Sequence, residues 1–206
     1  MIVDQRYVDY INSLEKELPP YLEELEQYAL QTEVPIIRKE MQSFLKTLLK
    51  MNKPKQILEV GTAIGFSALL MKEFMPADGQ ITTIEKYEKR IPVARANFEA
   101  HGDGRITLLE GLTGSYDMIF MDAAKGQYIH FMPDVLRLLA PGGVLLSDNV
   151  LQDGDIIQSR YAVARRNRTI HTRMREYLYE LKNNEALVTS IIPLGDGIAL
   201  SVKKDK

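Results

Sequence analysis

The sequence contains no cysteine and only three histidines. The absence of cysteine excludes disulfides, thiolate metal sites and a cysteine nucleophile, and it is compatible with a reducing cytosol. His101, His130 and His171 are too dispersed in the sequence to form a zinc motif. No apolar run approaches the roughly 20 residues that span a bilayer. The net charge of −2 gives no overall nucleic-acid signature, so any such role must rest on a local patch.

The length of 206 residues fits one domain, which can bury about 70% of the surface of its unfolded chain. Within residues 1–206 we predict amino-terminal helices over 1–50 and an α/β core over 56–206, without a linker between them. Residues 1–6 do not have the pattern of a signal peptide. We therefore expect a soluble, cytoplasmic protein with no membrane partner, and the apolar amino-terminal helices favour a homodimer.

Hydrophobic spacing predicts alternating strands and helices, and therefore an α/β fold with a mostly parallel sheet. Two carboxyl-terminal β runs joined by 193–196 predict an antiparallel hairpin at the sheet edge. The predicted helices cover 8–18, 22–30, 37–49, 67–71, 89–100, 131–139 and 160–182. The predicted strands cover 57–60, 81–84, 105–109, 116–121, 143–147, 187–192 and 197–202, with a turn at 141–143 before the fifth.

Polar side chains follow two of the buried strands at the point where each strand ends. Asp122 follows the strand over 116–121, with Lys125 close behind it, and Asp148 and Asn149 follow the strand over 143–147. Ligands of open α/β sheets bind beyond the carboxyl ends of the strands. Two carboxylates and an amide oxygen suit a hard cation such as Mg²⁺ or Ca²⁺. The alternative is that Asp122 and Asp148 only cap the helices that follow.

A glycine turn follows the first strand and favours a nucleoside ligand. Gly61 and Gly65 would let the backbone approach a ligand closely, and the following helix offers N–H groups at its start. The third glycine of the dinucleotide motif is missing, which weakens a nicotinamide interpretation. Glu85 ends the second strand, where an acid usually holds the ribose hydroxyls. With Glu59, these residues indicate a nucleoside with little or no phosphate.

The connection between the third and fourth strands is unusually short. Only residues 110–115 separate them, whereas a parallel crossover normally takes a dozen residues or more. Either the crossover is deleted, or a segment is missing from the sequence; we favour the missing segment.

Three motifs together resemble the cation-dependent class I O-methyltransferases of the catechol and caffeoyl-CoA type. They are the strand and turn over 58–67, the tip at 122–125 and the run over 147–151. The resemblance implies a Rossmann-like methyltransferase fold, Mg²⁺ or Mn²⁺ on Asp122, Asp148 and Asn149, and catalysis by Lys125 and Asp122, with Lys125 as the base. It also implies S-adenosyl-L-methionine as cofactor, and the predicted cofactor-binding residues are Val34, Glu59, Gly61, Thr62, Gly65, Ser67, Glu85 and Asp122.

The segment over 153–156 and the basic segment over 165–175 most resemble the bacterial tRNA 5-hydroxyuridine methyltransferases, which make 5-methoxyuridine at the wobble position. Six arginines and no acid lie between Arg160 and Arg175. An anticodon stem could place phosphates on Arg165, Arg166 and Arg168. Arginine-rich stretches are also common as solvated faces or dimer contacts. A small catechol-like phenol is the alternative substrate, and a non-catalytic RNA-binding or scaffold protein is the alternative class.

Overall fold

A computed structural model of the protein describes residues 2–109 and 114–205. The chain forms two compact units: an amino-terminal unit, Arg6–Leu112, and a carboxyl-terminal unit, Thr113–Lys206 with Met1–Gln5. The single domain expected over 1–206 stays a prediction. Within the described ranges, no helix is both long enough and apolar enough to cross a membrane.

The amino-terminal unit consists of three helices followed by alternating strands and helices. Its strands lie in the order β3-β2-β1 and pair in parallel, with Ile57 of β1 opposite Ile81 of β2. Both of these isoleucines are buried, as expected for a sheet covered on its faces. Its elements are α1 (Gln5–Ser13, whose first residue falls in the other unit), α2 (Pro20–Gln31), α3 (Lys39–Asn52), β1 (Gln56–Val60), α4 (Phe66–Phe74), β2 (Gln80–Ile84), α5 (Ile91–His101) and β3 (Ile106–Leu108).

The carboxyl-terminal unit carries four strands in the order β4-β5-β7-β6. Strands β4 and β5 are parallel, and β7 pairs antiparallel with both β5 and β6. The hairpin therefore lies where it was expected, with β6 at the edge. The elements are β4 (Tyr116–Met121), α6 (Tyr128–Leu138), β5 (Leu139–Ser147), α7 (Arg168–Asn183), β6 (Leu187–Ile192) and β7 (Ile198–Lys203), with short 3₁₀ turns at Lys125–Gln127, Gln152–Ile157 and Arg165–Asn167.

Two predicted helices are shorter in the structure than in the sequence pattern. Helix α1 ends at Ser13, whose hydroxyl donates to the carbonyl of Tyr10 at 2.6 Å. Leu14 continues the apolar spacing but is 66% exposed, so it makes no buried contact that would stabilise a longer helix. Helix α7 begins at Arg168 rather than at 160. Only Val163 is buried in the stretch over 160–167, so this stretch has no apolar face for a helix to pack.

The turn predicted at 141–143 lies within β5 as an irregularity of the ladder. The register moves from Tyr116 opposite Leu139 to Met118 opposite Val144, so the residues between are looped out of the pairing. Residues 110–113, which make up most of the short connection noted in the sequence, lie outside the described residues, and its interpretation is therefore not tested.

Candidate active site

Strands β4 and β5 end side by side, and each end carries one of the predicted carboxylates. The backbone N–H of Asp148 donates to the carbonyl of Met121 at 3.0 Å, and Asp122 is the next residue after Met121. Because the two strands are parallel, both acids lie at the same edge of the sheet. The structure thus places Asp122 and Asp148 at neighbouring strand ends, as the sequence predicted.

Lys125 returns to the first of these acids through a short 3₁₀ turn. Its Nζ lies 2.7 Å from Oδ1 of Asp122, and about a quarter of each side chain is exposed. The Nζ is also 3.4 Å from the hydroxyl oxygen of Tyr128. Lys125 is therefore held at the strand end by an ion pair and is not a freely solvated surface lysine.

Asp148 lies in a poorly solvated position. Burial raises the pKa of its carboxyl to about 7, the negative charge of Asp122 acts in the same direction, and the charge of Lys125 opposes them. A buried acid beside a second acid repels its neighbour when both are ionised. A bound divalent cation would offset that repulsion, so the electrostatics suit a cation ligand.

Asn149 is fixed in a conformation that few residues adopt. Its φ of 56° lies in the left-handed region, and asparagine tolerates this region better than most side chains. Its Nδ2 donates to Oδ2 of Asp196 at 2.9 Å, which leaves the amide oxygen as the atom that can bind a cation. Asp196, in the hairpin loop between β6 and β7, was not predicted from the sequence.

The donor chemistry of this cluster fits Mg²⁺ or Mn²⁺. Two carboxylates and one amide oxygen are hard oxygen ligands, and three protein ligands leave open positions on an octahedral ion. In the described part of the chain, no three His, Cys, Asp or Glu side chains gather as a metal cluster. The predicted set contains only two side chains of these types, so it relies on the Asn149 amide for its third ligand.

Tyr128 is a second residue that the sequence interpretation missed. Its side chain is completely buried, and its hydroxyl lies 3.0 Å from the carbonyl oxygen of Met121 and 3.2 Å from that of Asp148. Burial raises the pKa of the Tyr128 hydroxyl well above its usual value, and the charges of Asp122 and Asp148 add to this effect. Its spacing of three residues from Lys125 was the only available signal.

In the amino-terminal unit, the glycine turn is anchored to the end of β2. The N–H groups of Gly61 and Thr62 both donate to the carbonyl of Ile84, at 3.0 and 3.2 Å. Gly61 has a φ of 109°, which only glycine adopts without strain. The turn therefore has a defined backbone shape beside Glu85.

Glu59 and Ser67 belong to a buried hydrogen-bond network under this turn. The Ser67 and Thr83 hydroxyls donate to the two oxygens of Glu59, each at 2.5 Å, and Thr62 contacts Thr83 at 2.6 Å. Glu59 is completely buried. These contacts connect three of the predicted cofactor-binding residues and show that Glu59 also shapes the turn from beneath; its contact with a cofactor stays a prediction.

The Glu85 carboxylate is held by one backbone N–H of the glycine turn and one of the loop after β2. One carboxylate oxygen accepts from the N–H of Ala63 at 2.8 Å, and the other accepts from the N–H of Tyr87 at 2.7 Å. Each oxygen has a second lone pair that can accept from a hydroxyl. The two contacts hold the Glu85 carboxylate in one orientation, and its role in binding ribose hydroxyls stays a prediction.

Gly65 meets a protein group rather than open space. A Cβ atom at this position would lie 2.5 Å from the ring of Phe98 on α5, and the φ of Gly65 is 90°. The absence of a side chain there allows the turn to pack against α5, an explanation that the sequence did not offer. Val34 lies in the loop after α2, where its N–H donates to the carbonyl of Ala29, and its cofactor role stays a prediction.

The arginines of the basic segment divide into braced and exposed side chains. Arg168 donates to the carbonyls of Val163 and Tyr161, and its guanidinium lies 5.9 Å from the centre of the Tyr161 ring. Arg165 and Arg166 are exposed on the 3₁₀ turn before α7. Of the three predicted phosphate contacts, Arg165 and Arg166 are exposed to solvent, whereas the Arg168 guanidinium is bound within its own segment.

Comparison with known proteins identifies the family. The family model for O-methyltransferases matches residues 12–204. Catechol O-methyltransferase of Niastella koreensis is 34% identical over 127 residues, which cover 55% of this chain and 58% of that protein. Caffeoyl-CoA O-methyltransferase of Medicago sativa is 31% identical over 181 residues, with coverage of 76% and 70%.

The fold agrees with a solved methyltransferase. The methyltransferase PaMTH1 of Podospora anserina, solved with SAH bound, superposes with a TM-score of 0.86 at 26% identity, covering 98% of this chain and 95% of that one. The chain belongs to the O-methyltransferase family. The predicted class, an S-adenosylmethionine-dependent O-methyltransferase, is confirmed, as is the Rossmann-like fold with a seven-stranded, mostly parallel sheet and antiparallel carboxyl-terminal strands.

Proposed function

We propose that the protein is a cation-dependent O-methyltransferase that methylates 5-hydroxyuridine at the wobble position of tRNA to 5-methoxyuridine. The observation that carries the chemical part is the cluster at the ends of β4 and β5. There an ion-paired Lys125 and a buried Asp148 accompany Asp122 and Asn149.

The cofactor site that we propose is the glycine turn with Glu85. S-adenosyl-L-methionine supplies a methyl group bound to a positively charged sulfur. Glu85 would accept hydrogen bonds from the ribose hydroxyls, and the turn from Gly61 to Gly65 would face the cofactor through its backbone. The SAH bound to PaMTH1 shows that a protein of this fold accommodates such a nucleoside.

The cation would be held by Asp122, Asp148 and Asn149. When bound, it lowers the pKa of a substrate hydroxyl and orients the reacting oxygen. Asp196 orients Asn149 through its amide nitrogen. Because the protein would supply only three ligands, a substrate with a hydroxyl beside a second oxygen can bind through both, and 5-hydroxyuridine has its hydroxyl beside a ring carbonyl.

Lys125 would take the proton of the substrate hydroxyl. The hydroxyl oxygen forms a bond to the methyl carbon as the carbon–sulfur bond breaks, and that electron pair stays on sulfur. The proton moves to the Lys125 amine, which Asp122 holds in place at 2.7 Å. To accept this proton, the Lys125 amine must be uncharged when substrate binds.

The exposed part of the basic segment supports an RNA substrate. Arg165 and Arg166 are exposed cations that can contact phosphates. Tyr161 is 82% exposed in the same segment, and its ring can stack on an unpaired base. Exposed arginine and an exposed aromatic ring together suit single-stranded RNA of the kind found in an anticodon loop.

Methyl transfer from labelled S-adenosylmethionine tests the substrate. The wild-type enzyme is given tRNA that carries 5-hydroxyuridine, and in parallel a free catechol. We expect label in the wobble nucleoside as 5-methoxyuridine. Label only in the catechol would contradict the tRNA assignment, and label in neither would contradict both candidates.

Charge reversal tests the proposed RNA contact. Replacing Arg165 and Arg166 by Glu should raise the KM for tRNA by at least about tenfold, because two phosphate contacts become repulsive. Transfer to a catechol should not change. The matched control reverses two exposed cations elsewhere, Lys89→Glu with Arg95→Glu. An equal rise in the KM for tRNA in the test variant and in the control would remove the support for an RNA contact at Arg165 and Arg166.

A small catechol-like or caffeoyl-CoA-like phenol is the second candidate substrate. It is favoured by the relatives, which are named as catechol and caffeoyl-CoA O-methyltransferases. The same strand-end cluster could bind two neighbouring phenolic oxygens. A kcat/KM for catechols above that for tRNA would favour this candidate.

We also retain a cytoplasmic homodimer as part of the proposal. The apolar side chains of α1 support it, because Tyr7, Tyr10 and Ile11 are each at least half exposed in the single chain. Sedimentation equilibrium should give twice the chain mass of 23.5 kDa.

A further inference from the structure

The buried hydroxyl of Tyr128 spans the two strand ends that carry the proposed cation ligands. It lies 3.0 Å from the carbonyl oxygen of Met121 and 3.2 Å from that of Asp148. The first carbonyl belongs to the peptide group that leads into Asp122. The second belongs to the peptide group that joins Asp148 to Asn149. One O–H group therefore contacts the backbone beside all three proposed ligands.

The packing around Tyr128 fixes the position of its hydroxyl relative to the two strand ends. Tyr128 lies at the start of α6 and is completely buried, so its ring cannot move away without opening a cavity. The carbonyl of Met121 also accepts from the N–H of Asp148 at 3.0 Å. A change in the position of the Tyr128 hydroxyl would therefore shift the peptide groups from which the Asp122 and Asp148 side chains project.

Tyr177 provides an internal comparison in the same core. It is as completely buried as Tyr128, and the two rings meet edge to face with centroids 5.4 Å apart. The hydroxyl of Tyr177, however, contacts Oγ of Ser147 at 2.6 Å and not a strand-end carbonyl. The two tyrosines thus have the same size and burial but hold different groups.

We propose that Tyr128 is a positioning residue that sets the separation of Asp122 and Asp148 for a divalent cation, an inference that rests on the proposed cation site. A cation with octahedral preference binds tightly only when its ligands lie within a few tenths of an ångström of their required positions. A hydroxyl that contacts the backbone of both ligand-bearing strand ends holds them at one spacing. Its 3.4 Å approach to Nζ of Lys125 places the base in the same framework.

Binding of Mn²⁺ to the purified chain tests this role without measuring activity. The affinity is measured by electron paramagnetic resonance of free Mn²⁺ in wild type, Tyr128→Phe and Tyr177→Phe. Loss of a partner that orients metal ligands typically weakens affinity 10–100-fold, so we expect a loss of about tenfold in Tyr128→Phe. Tyr177→Phe should bind Mn²⁺ like wild type, although both variants lose a buried hydroxyl.

The Mn²⁺-induced rise in unfolding temperature provides the second readout. Each variant is compared with itself with and without Mn²⁺, so a general loss of stability cancels. The rise should shrink in Tyr128→Phe and be retained in Tyr177→Phe. Equal affinities and equal rises in the two variants would overturn the inference and leave Tyr128 with a purely stabilising role.

Asp148→Asn separates this inference from the proposed function. Wild-type binding that Asp148→Asn weakens shows that Mn²⁺ occupies the strand-end cluster. If wild type does not bind Mn²⁺, or if Asp148→Asn binds it as well as wild type, the cation site and the role of Tyr128 are both overturned. If Tyr128→Phe does not fold, Tyr128→Met and Tyr177→Met provide the same comparison with a more adaptable apolar side chain.

Discussion

At Gly65, a hydrogen atom in place of a side chain lets the glycine turn contact the ring of Phe98. A Cβ atom there would lie 2.5 Å from the ring, and the φ of 90° is strained for any other residue. The glycines of such turns are usually explained by the approach of a ligand. Here the contact with Phe98 on α5 and the φ of 90° together explain Gly65, and the φ of 109° explains Gly61.

Replacing Gly65 by Ala should lower the free energy of unfolding by about 2–4 kcal/mol, because it both overpacks the contact with Phe98 and strains the backbone. Urea unfolding measures the loss. Gly104→Ala is the control, since Gly104 has a φ of 71° but open space around a Cβ. It should cost only the backbone strain, about 1 kcal/mol. Similar losses at both positions would contradict the role of Phe98.

Lys125 is the residue on which the proposed methyl transfer depends most directly. Replacing it by Met should lower kcat by about 10²–10⁴-fold, the usual contribution of a positioned base. Binding of S-adenosylhomocysteine, measured by calorimetry, should be unchanged. Lys55→Met is the control, because Lys55 pairs with Asp78 on the surface. An unchanged kcat in Lys125→Met would show that another group takes the proton.

At the scale of elements, Glu15 attaches the segment after α1 to helix α3. Its carboxylate accepts from Lys46 at 2.6 Å and from Ser43 at 2.5 Å. These hydrogen bonds lower the pKa of Glu15 below its usual value of 4.5, and the bond from Lys46 has the larger effect. The carboxylate is therefore stabilised in the folded chain, and this contribution is present above pH 4.5 and is lost as the pH falls through the lowered value.

Glu15→Gln should therefore cost about 1 kcal/mol of unfolding free energy at pH 7, a value that allows for the partial exposure of the pair. The difference from wild type should vanish in strong acid. Chemical unfolding at a series of pH values measures it. Asp134→Asn, which removes an exposed ion pair with Arg137 on α6, should cost almost nothing at any pH. A loss that did not depend on pH would contradict this assignment.

The strands could be predicted from the sequence more closely than the helix ends. Strand β4 ends at Met121 as predicted, because a continuous apolar run followed by an acid identifies a buried strand locally. Strand β6 also has the predicted bounds, although it lies at the sheet edge and only Leu187 in it is buried. The start of α7 could not be predicted, since it depends on where its apolar face meets the core. The spacing predicted that α7 buries Ile170, Met174, Leu178 and Leu181. In the structure α7 buries His171 instead of Ile170 and Tyr177 instead of Leu178, together with Met174 and Leu181.

The candidate site was only partly predictable from the sequence, because some of its residues are defined by contacts between distant parts of the chain. Asp122, Asp148 and Asn149 could be found because they follow recognisable strands. Tyr128 and Asp196 could not, because their roles depend on contacts that form only in the folded chain.

At the scale of the whole molecule, family and fold are established, and the substrate is the open chemical question. The O-methyltransferase family model spans residues 12–204, and the PaMTH1 structure aligns with nearly all of the chain. The net charge of −2 conceals a local segment in which Arg165 and Arg166 are exposed. The substrate proposal therefore depends on local chemistry and not on the overall charge.

The central claim is that the strand-end cluster performs cation-dependent methyl transfer to a hydroxyl. The most direct measurement is the rate of transfer from labelled S-adenosylmethionine by EDTA-treated enzyme, before and after addition of Mg²⁺, with 5-hydroxyuridine tRNA and with catechol. Asp122→Asn and Asp148→Asn are measured alongside wild type. We predict no transfer without the cation, recovery when Mg²⁺ is added to wild type, and little recovery in either variant. Full activity in EDTA, or full recovery in both variants, would contradict the account.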